Sequence, residues 1–138
     1  MIQQLTVMLA NKKGRLTALT ELLGENAIQM HALTVADAGE FGIVRIICDS
    51  PEKAKELLDE NGFQAQLSRV VAIEVPNEPG GVARVFKTID GADANVEYAY
   101  CFARGGAAVL AVKSSSDLKV VFDGTDIRLL KPEDLYTA

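Results

Sequence analysis

The stretches Val7–Leu33, "VMLANKKGRLTALTELLGENAIQMHAL", and Ala72–Tyr100, "AIEVPNEPGGVARVFKTIDGADANVEYAY", present the same features in the same order. Each begins with an apolar strand and continues through an Asn-x-x-Gly loop into an amphipathic helix. A glycine marks the end of that helix, and a second apolar strand follows. The chain therefore contains an internal repeat of roughly 66 to 68 residues, and this repeat decides the fold.

The first copy continues beyond the quoted stretch with further strand and helix signals. Asp37–Gly39 predicts a hairpin turn before the β-forming run Phe41–Cys48. Ser50 is expected to cap a second helix with Pro51 at its first position. Phe63–Ser68 then remains as a short fourth strand, so the first copy is predicted to have the order βαββαβ.

The second copy repeats this order. Its first helix has an apolar face at i, i+3, i+4 and i+7 spacing, formed by Val82, Val85, Phe86 and Ile89. A turn is expected at Arg104–Gly106, a helix capped by Ser116, and a final strand at Ile127–Leu130. The fold class is therefore predicted as α+β, with two ferredoxin-like βαββαβ domains over residues 1–69 and 70–138.

Composition narrows the possible functions. The chain has 138 residues, of which 49% are hydrophobic, and a formal net charge of -5. This is enough apolar sequence for a real core, and it implies no basic face for nucleic acid or anionic lipid. No apolar run approaches the roughly 20 residues that a membrane span requires. We expect a soluble, cytoplasmic protein with neither nucleic acid nor membrane as a partner.

Few residues suit catalysis or metal binding. The single histidine, His31, lies on a predicted strand without ligand-spaced Cys, Asp or Glu, which favours a structural role over a contact with a ligand. Cys48 and Cys101 are far apart in apolar runs, so both are predicted to be buried free thiols. No metal, cofactor or catalytic residue is therefore expected.

An aromatic row on one predicted strand, formed by Tyr98, Tyr100 and Phe102, is the feature closest to a nucleic-acid platform. Because Glu97 adjoins it in an acidic chain, a core or interface face is the better interpretation. An acylphosphatase-like enzyme using Arg15 or Arg84 remains a remote alternative, since the glycine-valine-rich loop of such enzymes is missing.

The repeated loop is the best candidate for a binding site. Gly14 and Gly80–Gly81 leave backbone N–H groups open at the start of a helix, where a carboxylate is favoured. Asn11 and Asn77 each offer an amide donor and a carbonyl acceptor. The set suits a zwitterion. In a single copy, Asn and Gly would be better explained as shaping a tight turn, and it is their recurrence in both copies that favours binding.

The motif Asn77, Pro79, Gly80 and Val82, set within βαββαβ, resembles the ACT domain, a small regulatory module that binds amino acids. The whole chain resembles a stand-alone pair of such domains. The resemblance implies side-by-side packing into a continuous eight-stranded antiparallel sheet with helices on one face. It also implies a homodimer with amino acids bound at the interface between domains, where the first loop of one meets the second strand of its neighbour.

The resemblance places two pseudo-symmetric sets of residues around ligands. One contains Asn77, Gly80, Gly81 and Val82, and the other contains Asn11, Gly14, Arg15 and Leu16. The second strands would contribute Asn95 and Tyr98 in one copy and Met30 and His31 in the other. The first copy departs from the motif with Lys13 in place of proline and Ala27 in place of Asn95. Its site is therefore expected to be altered, weaker or empty.

Two regulatory functions follow from the resemblance. The first is a non-catalytic amino-acid sensor, and the apolar residues Leu16, Met30, Val82 and Tyr98 favour a branched, aromatic or histidine-like ligand without excluding glycine or serine. The second is a regulatory small subunit that docks on an amino-acid biosynthetic enzyme such as acetolactate synthase. Both make the chain an allosteric regulator.

Overall fold

The structure, a computed structural model, describes residues 1–136, and it divides into two compact units. The N-terminal unit contains Gln3–Ser68 with Leu135 and Tyr136, and the C-terminal unit contains Arg69–Asp134 with Met1 and Ile2. The fold class is α+β, as the sequence predicts, with antiparallel strand pairing in both units.

The chain order of elements up to β4, the strand that crosses the boundary between the units, is strand, helix, two strands, helix and strand. These elements are β1 Ile2–Ala10, α1 Arg15–Glu25, β2 Met30–Ala38, β3 Phe41–Cys48, α2 Pro51–Glu60 and β4 Gln64–Val75. β3 pairs with both β1 and β2. A turn at Gly39 and Glu40 joins β2 and β3 into a hairpin, one residue later than the Asp37–Gly39 turn that the sequence predicts.

The remaining elements are α3 Gly81–Gly91, β5 Tyr98–Arg104, β6 Ala107–Lys113, α4 Leu118–Phe122 and α5 Pro132–Leu135. β6 pairs with the C-terminal half of β4 on one side and with β5 on the other. In the sheet order β2 has β3 as its only neighbour and β5 has β6 as its only neighbour, among the residues the structure describes. Each of these strands therefore has one edge without a strand partner.

The core of each unit lies between one face of its strands and its helices. In the N-terminal unit, alternate residues of β1 and β3 contact the apolar faces of α1 and α2; the fully buried members include Leu5, Val7, Leu19, Leu23, Val44, Ile46 and Leu58. In the C-terminal unit the equivalent core contains Ile73, Val85, Ile89, Leu110, Val112, Leu118 and Phe122. The helical and strand spacings read from the sequence therefore place these side chains inside.

The prediction of a continuous eight-stranded sheet is wrong for the described residues, which form six strands. Two local features account for the difference. The predicted strands on either side of Ser68 are continuous as β4, a single strand of 12 residues. The predicted last strand, Ile127–Leu130, makes only an isolated bridge between Leu129 and Ile73.

Two predicted caps also differ. Ser50 stands at the N-cap of α2, but its left-handed backbone leaves the hydroxyl without a cap hydrogen bond. α4 is capped by Asp117, whose side chain accepts a hydrogen bond from the Lys119 N–H at 3.1 Å, and not by Ser116. No helix within residues 1–136 is long and apolar enough to cross a membrane.

Candidate ligand-binding site

The two Asn-x-x-Gly loops have the same backbone hydrogen bonds. In the first, the Lys12 N–H donates to Ala10 O at 2.8 Å and the Arg15 N–H donates to Lys12 O at 3.3 Å. In the second, the Glu78 N–H donates to Pro76 O at 2.8 Å and the Gly81 N–H donates to Glu78 O at 3.2 Å. The repeat found in the sequence is thus a repeat of loop geometry.

A glycine in the left-handed conformation ends each loop and caps the following helix. Gly14 has φ 87° and ψ -12°, and Gly80 has φ 88° and ψ -8°. Neither helix receives a side-chain hydrogen bond at this cap. The N–H groups of the first turn of α1 and α3 are therefore not blocked by a capping side chain, which is the arrangement that binds an anion at the positive end of the helix dipole.

The residue after each capping glycine differs between the copies. Gly81 is buried, and a Cβ built on it would lie 2.4 Å from Pro76 O, so this position excludes a side chain. Arg15 stands at the same place in the first loop, and its guanidinium lies 4.7 Å from the centroid of the Phe63 ring, a cation–π contact. The second loop is consequently the tighter of the two.

The two loop asparagines also differ. Asn11 is held by the β2–β3 hairpin, since its backbone N–H donates to Glu40 O at 2.9 Å and its Nδ2 donates to Gly39 O at 3.3 Å. The Oδ1 of Asn11 thereby keeps a fixed direction. Asn77 is exposed on the second loop. The first loop therefore presents a more restrained acceptor than the second.

A small cavity adjoins the first loop. It has a volume of about 90 Å³ and is lined by Leu9, Ala10, Asn11, Lys12, Leu16, Val35, Gly42 and Val44. Asn11 and Leu16 come from the predicted set, whereas Val35, from β2, was not predicted. The alternation of Leu33 and Val35 indicated a strand. It did not indicate that Val35 faces the first loop.

A larger cavity of about 330 Å³ lies beside the second loop. Gly81 is the only member of the predicted set among its lining residues, which also include Glu74, Arg84, Asp126 and Arg128. Arg84 pairs with Asp126, and Arg128 Nη1 donates to Glu74 Oε2 at 2.8 Å. These are exposed ion pairs, which contribute about 0–1 kcal/mol each. No sequence motif indicated Asp126 or Arg128.

The predicted second-strand residues lie at the far end of each unit from its loop. Along β3, Ala10 is opposite Phe41 and Met30 is opposite Cys48. Along β6, Val75 is opposite Ala108, and Tyr98 is opposite Lys113. At about 3.3 Å per residue these separations are roughly 17 to 23 Å, several times the length of one extended residue. Within one unit, no single amino acid contacts both ends.

The far end of each unit has polar contacts of its own. His31 Nε2 lies 2.7 Å from Asp49 Oδ1, and both side chains are partly buried. In the C-terminal unit the Asn95 Oδ1 accepts hydrogen bonds from the hydroxyl groups of Ser114, Ser115 and Ser116, the shortest being 2.8 Å from Ser115. Asn95 and His31 are thus held in place by their own units.

The remaining candidate groups are possible metal ligands and the two thiols. No group of three or more His, Cys, Asp or Glu is placed to hold a metal ion within residues 1–136. Cys48 is buried, and burial followed by the charge of Asp49 raises the pKa of its thiol to about 12. Cys101 is exposed, so the prediction of a buried thiol is wrong there: β5 is an edge strand, and its alternate residues face outward.

Comparison with known proteins identifies a family for this chain. The sequence profile of a family described as an ACT domain pair matches residues 1–128. The crystal structure of a protein from Bacteroides thetaiotaomicron has 36% sequence identity and a TM-score of 0.91, covering 99% of this chain and 96% of that chain. No curated protein matches.

Two more distant solved structures share the fold. The ligand-free regulatory subunit of aspartate kinase from Thermus thermophilus has 14% identity and a TM-score of 0.66, covering 86% of this chain and 87% of its own. The corresponding subunit from Thermus flavus has 15% identity and a TM-score of 0.58, with 80% of each chain covered.

Proposed function

Because the chain belongs to the ACT domain pair family, we propose that it is a non-catalytic regulatory protein that binds a free amino acid through its glycine loops. The proposed domains are residues 1–69 and 70–138. The observation that carries the proposal is the repeated helix start, in which Gly14 and Gly80 leave α1 and α3 without a capping side chain. Membership of a family of regulatory domains favours the interpretation of this repeated helix start as a ligand site over its interpretation as a turn alone.

In the proposed site, separate groups of the protein bind the two charged groups of the amino acid. Its carboxylate binds the backbone N–H groups of Gly14 and Leu16 or those of Gly80 and Val82. The intervening N–H groups of Arg15 and Gly81 donate within the loop to Lys12 O and Glu78 O, so these two residues shape the site. The ammonium group of the amino acid donates hydrogen bonds to the Oδ1 of Asn11 or Asn77 and to loop carbonyl groups.

The second-strand residues proposed as the opposite wall are Met30 and His31 for one site and Asn95 and Tyr98 for the other. Because these residues lie roughly 17 to 23 Å from the loop of their own unit, each site requires a second strand from a neighbouring domain. The apolar walls favour a branched, aromatic or histidine-like side chain.

The proposed output is a change in the packing of a homodimer. A ligand shifts an equilibrium between two arrangements only when it binds one of them more tightly. A ligand held between a loop and a neighbouring strand satisfies this condition, because its contacts exist only when the two domains are side by side. Regulation then follows from the coupling of ligand binding to assembly in the cytoplasm.

Isothermal titration calorimetry with each of the twenty amino acids tests the proposal. The wild-type chain is expected to give saturable heat with at least one of them. Gly80→Asp places a carboxylate at the start of α3, where the carboxylate of the ligand is proposed to bind, and is expected to abolish binding at the second loop. Gly62→Asp is the matched control, because Gly62 also has a positive φ, 84°, and open space around it. Absence of binding by the wild type at millimolar ligand would contradict the proposal.

A second proposal concerns a protein partner, namely an amino-acid biosynthetic enzyme on which the ACT pair docks. It is supported by the fold that the chain shares with the regulatory subunit of aspartate kinase. Affinity purification from a native extract, with and without added amino acids, separates the two proposals. An enzyme retained without amino acid would favour docking, whereas retention that depends on amino acid would favour sensing.

A further inference from the structure

Each unit contains a cavity at the same position, where its first strand lies beside its last extended segment. In the C-terminal unit this is the cavity of about 330 Å³ described above, named here the β4 cavity, whose lining residues include Glu74 and residues 126–128. In the N-terminal unit it is a cavity of about 660 Å³, named here the β1 cavity, whose lining residues include Met8 and residues 64–66. Glu74 follows Met8 by 66 positions, the same separation as that of the two capping glycines. The cavity is therefore a feature of the internal repeat.

The two copies differ in the charges at this position. Four charged side chains line the β4 cavity, namely Glu74, Arg84, Asp126 and Arg128. Met8 occupies the position 66 residues before Glu74, and it is uncharged. Ala18 occupies the position 66 residues before Arg84. The segment beside β1, residues 64–66, is Gln-Ala-Gln. Because the N-terminal unit forms its core without charges at these positions, the fold does not require them, and a role in binding is favoured.

The four charges form two ion pairs in the wall of the β4 cavity. Arg84 pairs with Asp126, and Arg128 Nη1 donates to Glu74 Oε2 at 2.8 Å. Arg128 Nη2 also donates to Asp134 Oδ1 at 3.2 Å. Both arginine side chains remain more than half exposed, at 54% and 58%. Exposed ion pairs add little to stability, so a bound molecule replaces their contacts at small cost.

The arrangement of these charges indicates what kind of molecule the wall accepts. Each guanidinium group has a carboxylate beside it, and the four charges sum to zero. A simple anion would meet two carboxylates, and a simple cation would meet two guanidinium groups. A zwitterion meets neither conflict, because its carboxylate accepts hydrogen bonds from guanidinium while its ammonium group donates to carboxylate. The wall therefore favours a small zwitterion.

The size of the β4 cavity and its other lining residues fit a small amino acid. Its volume lies within the range of about 300–1,000 Å³ that is typical of small-molecule sites, whereas the 90 Å³ cavity beside the first loop does not. Pro76, Ala107 and Ile127 are apolar lining residues that are not fully buried. Gly81 and Gly106 line the cavity without a side chain to fill it. These walls suit an aliphatic side chain.

We propose that the β4 cavity is a binding site for a free amino acid with an aliphatic side chain. Arg84 and Arg128 bind its carboxylate. Glu74 and Asp126 accept hydrogen bonds from its ammonium group. This site goes beyond the function proposed above, because it lies within one unit and uses neither the N–H groups at the helix start nor a strand from a neighbouring domain.

Backbone ¹H–¹⁵N NMR with L-valine, L-leucine and L-isoleucine as probes tests the proposal. Saturable shifts are expected at the amides of Arg84, Ile127 and Arg128. Two matched analogues test the zwitterion: 4-methylpentanoate is L-leucine without its amino group, and 3-methylbutylamine is L-leucine without its carboxylate. Each leaves one pair of protein charges without a partner, so each is expected to bind at least about tenfold more weakly than L-leucine.

Variants that copy the N-terminal unit test the individual residues. Arg84→Ala and Arg128→Gln are each expected to weaken binding at least about tenfold, by removing a charged hydrogen-bond donor. The amide spectrum of each variant shows directly that it is folded. Lys55→Gln is the matched control, because it breaks an exposed ion pair with Asp59, a lining residue of the β1 cavity, and leaves the C-terminal unit unchanged. This control is expected to bind as the native chain does.

Asn77→Ala separates this proposal from the proposed function, because Asn77 belongs to the second loop and does not line the β4 cavity. Loss of binding in the two arginine variants, with binding retained in Asn77→Ala, supports the proposal even if the loops bind nothing. Equal or greater weakening by Asn77→Ala overturns it and leaves the proposed function standing. Absence of saturable shifts with all three amino acids at millimolar concentration, or equal binding of L-leucine and 4-methylpentanoate, also overturns it.

Discussion

Gly14 and Gly80 adopt the same left-handed backbone conformation, with φ values of 87° and 88°, at the start of the first helix of each copy. Neither would crowd its surroundings with a Cβ, because no other atom lies within 4 Å of that position. Glycine is therefore required for backbone conformation and not for space. The same requirement at both positions indicates that the loop shape is the conserved part of the internal repeat.

The first prediction concerns these two glycines. Gly14→Ala and Gly80→Ala are each expected to lower the free energy of unfolding by about 1–2 kcal/mol, because an L-residue is strained in the left-handed region. Urea denaturation measures the change. Gly24→Ala is the control: Gly24 lies inside α1 without a positive φ, so alanine there is expected to raise stability by about 0.5–1 kcal/mol. Equal effects at all three positions would contradict this account.

The second prediction concerns Gly81, where the constraint is space. Gly81→Ala sets a Cβ 2.4 Å from Pro76 O, so the loop must move. A shift of this kind is expected to cost about 1–3 kcal/mol. Arg15→Ala changes the equivalent residue of the first loop and is expected to cost only the contact with Phe63, about 0.5–1 kcal/mol at a partly exposed site. A neutral Gly81→Ala would show that the second loop is not tight.

The third prediction separates the two thiols. Cys101 is exposed, whereas Cys48 is buried with a thiol pKa raised to about 12. Because the thiolate is the reactive form, iodoacetamide at pH 8 is expected to modify one thiol per native chain and two per unfolded chain. Intact-mass spectrometry counts the adducts. Modification of Cys48 in the native chain at a comparable rate would contradict the described core.

The fourth prediction concerns alkaline pH. Burial raises the pKa of Cys48 from 9.0 to about 12, and burial likewise raises the pKa of Tyr136 from 10.0 to about 12. Above pH 9 the unfolded chain loses these protons while the folded chain retains them. Stability is therefore complete below pH 9 and falls as pH rises to about 12, by at most about 1.4 kcal/mol per pH unit for Cys48 and by less for Tyr136, which is partly exposed to screening solvent.

Denaturation at several pH values checks this slope. Tyr136→Phe removes one of the two groups, and it also removes the hydrogen bond that the Tyr136 hydroxyl donates to Gln3 O at 3.0 Å. We expect this variant to be about 1 kcal/mol less stable at neutral pH but to lose less stability between pH 10 and 12. A slope unchanged by the substitution would contradict the assignment.

Much of the fold was predictable from short-range patterns. The helical spacing of Leu19 and Leu23 and the hairpin signal at Asp37–Gly39 depend on neighbouring residues, and the structure confirms both. The number of strands depends on longer-range geometry. The alternation of apolar and polar residues is the same for two short strands and for the single strand β4. It therefore does not indicate whether the chain bends or continues straight at Ser68.

The candidate site was less predictable. The Asn-x-x-Gly motif identifies a loop because local backbone geometry demands glycine, as at Gly80. The exposure of Val35 and Cys101 depends instead on which strands lie at a sheet edge, and this is set by topology. The ion pairs of Arg84 and Arg128 join residues 42 and 54 positions apart in the chain, so no local pattern indicates them.

A free amino acid is proposed to bind at the starts of α1 and α3, where the cap residues Gly14 and Gly80 supply no capping side chain. Backbone ¹H–¹⁵N NMR during titration with the amino acids that give heat in calorimetry tests it most directly. We expect saturable shifts concentrated at the amides of Gly14–Leu16, Gly80–Val82, or both. Saturable shifts confined to other parts of the chain, or no shifts at millimolar concentrations of all twenty amino acids, would contradict it.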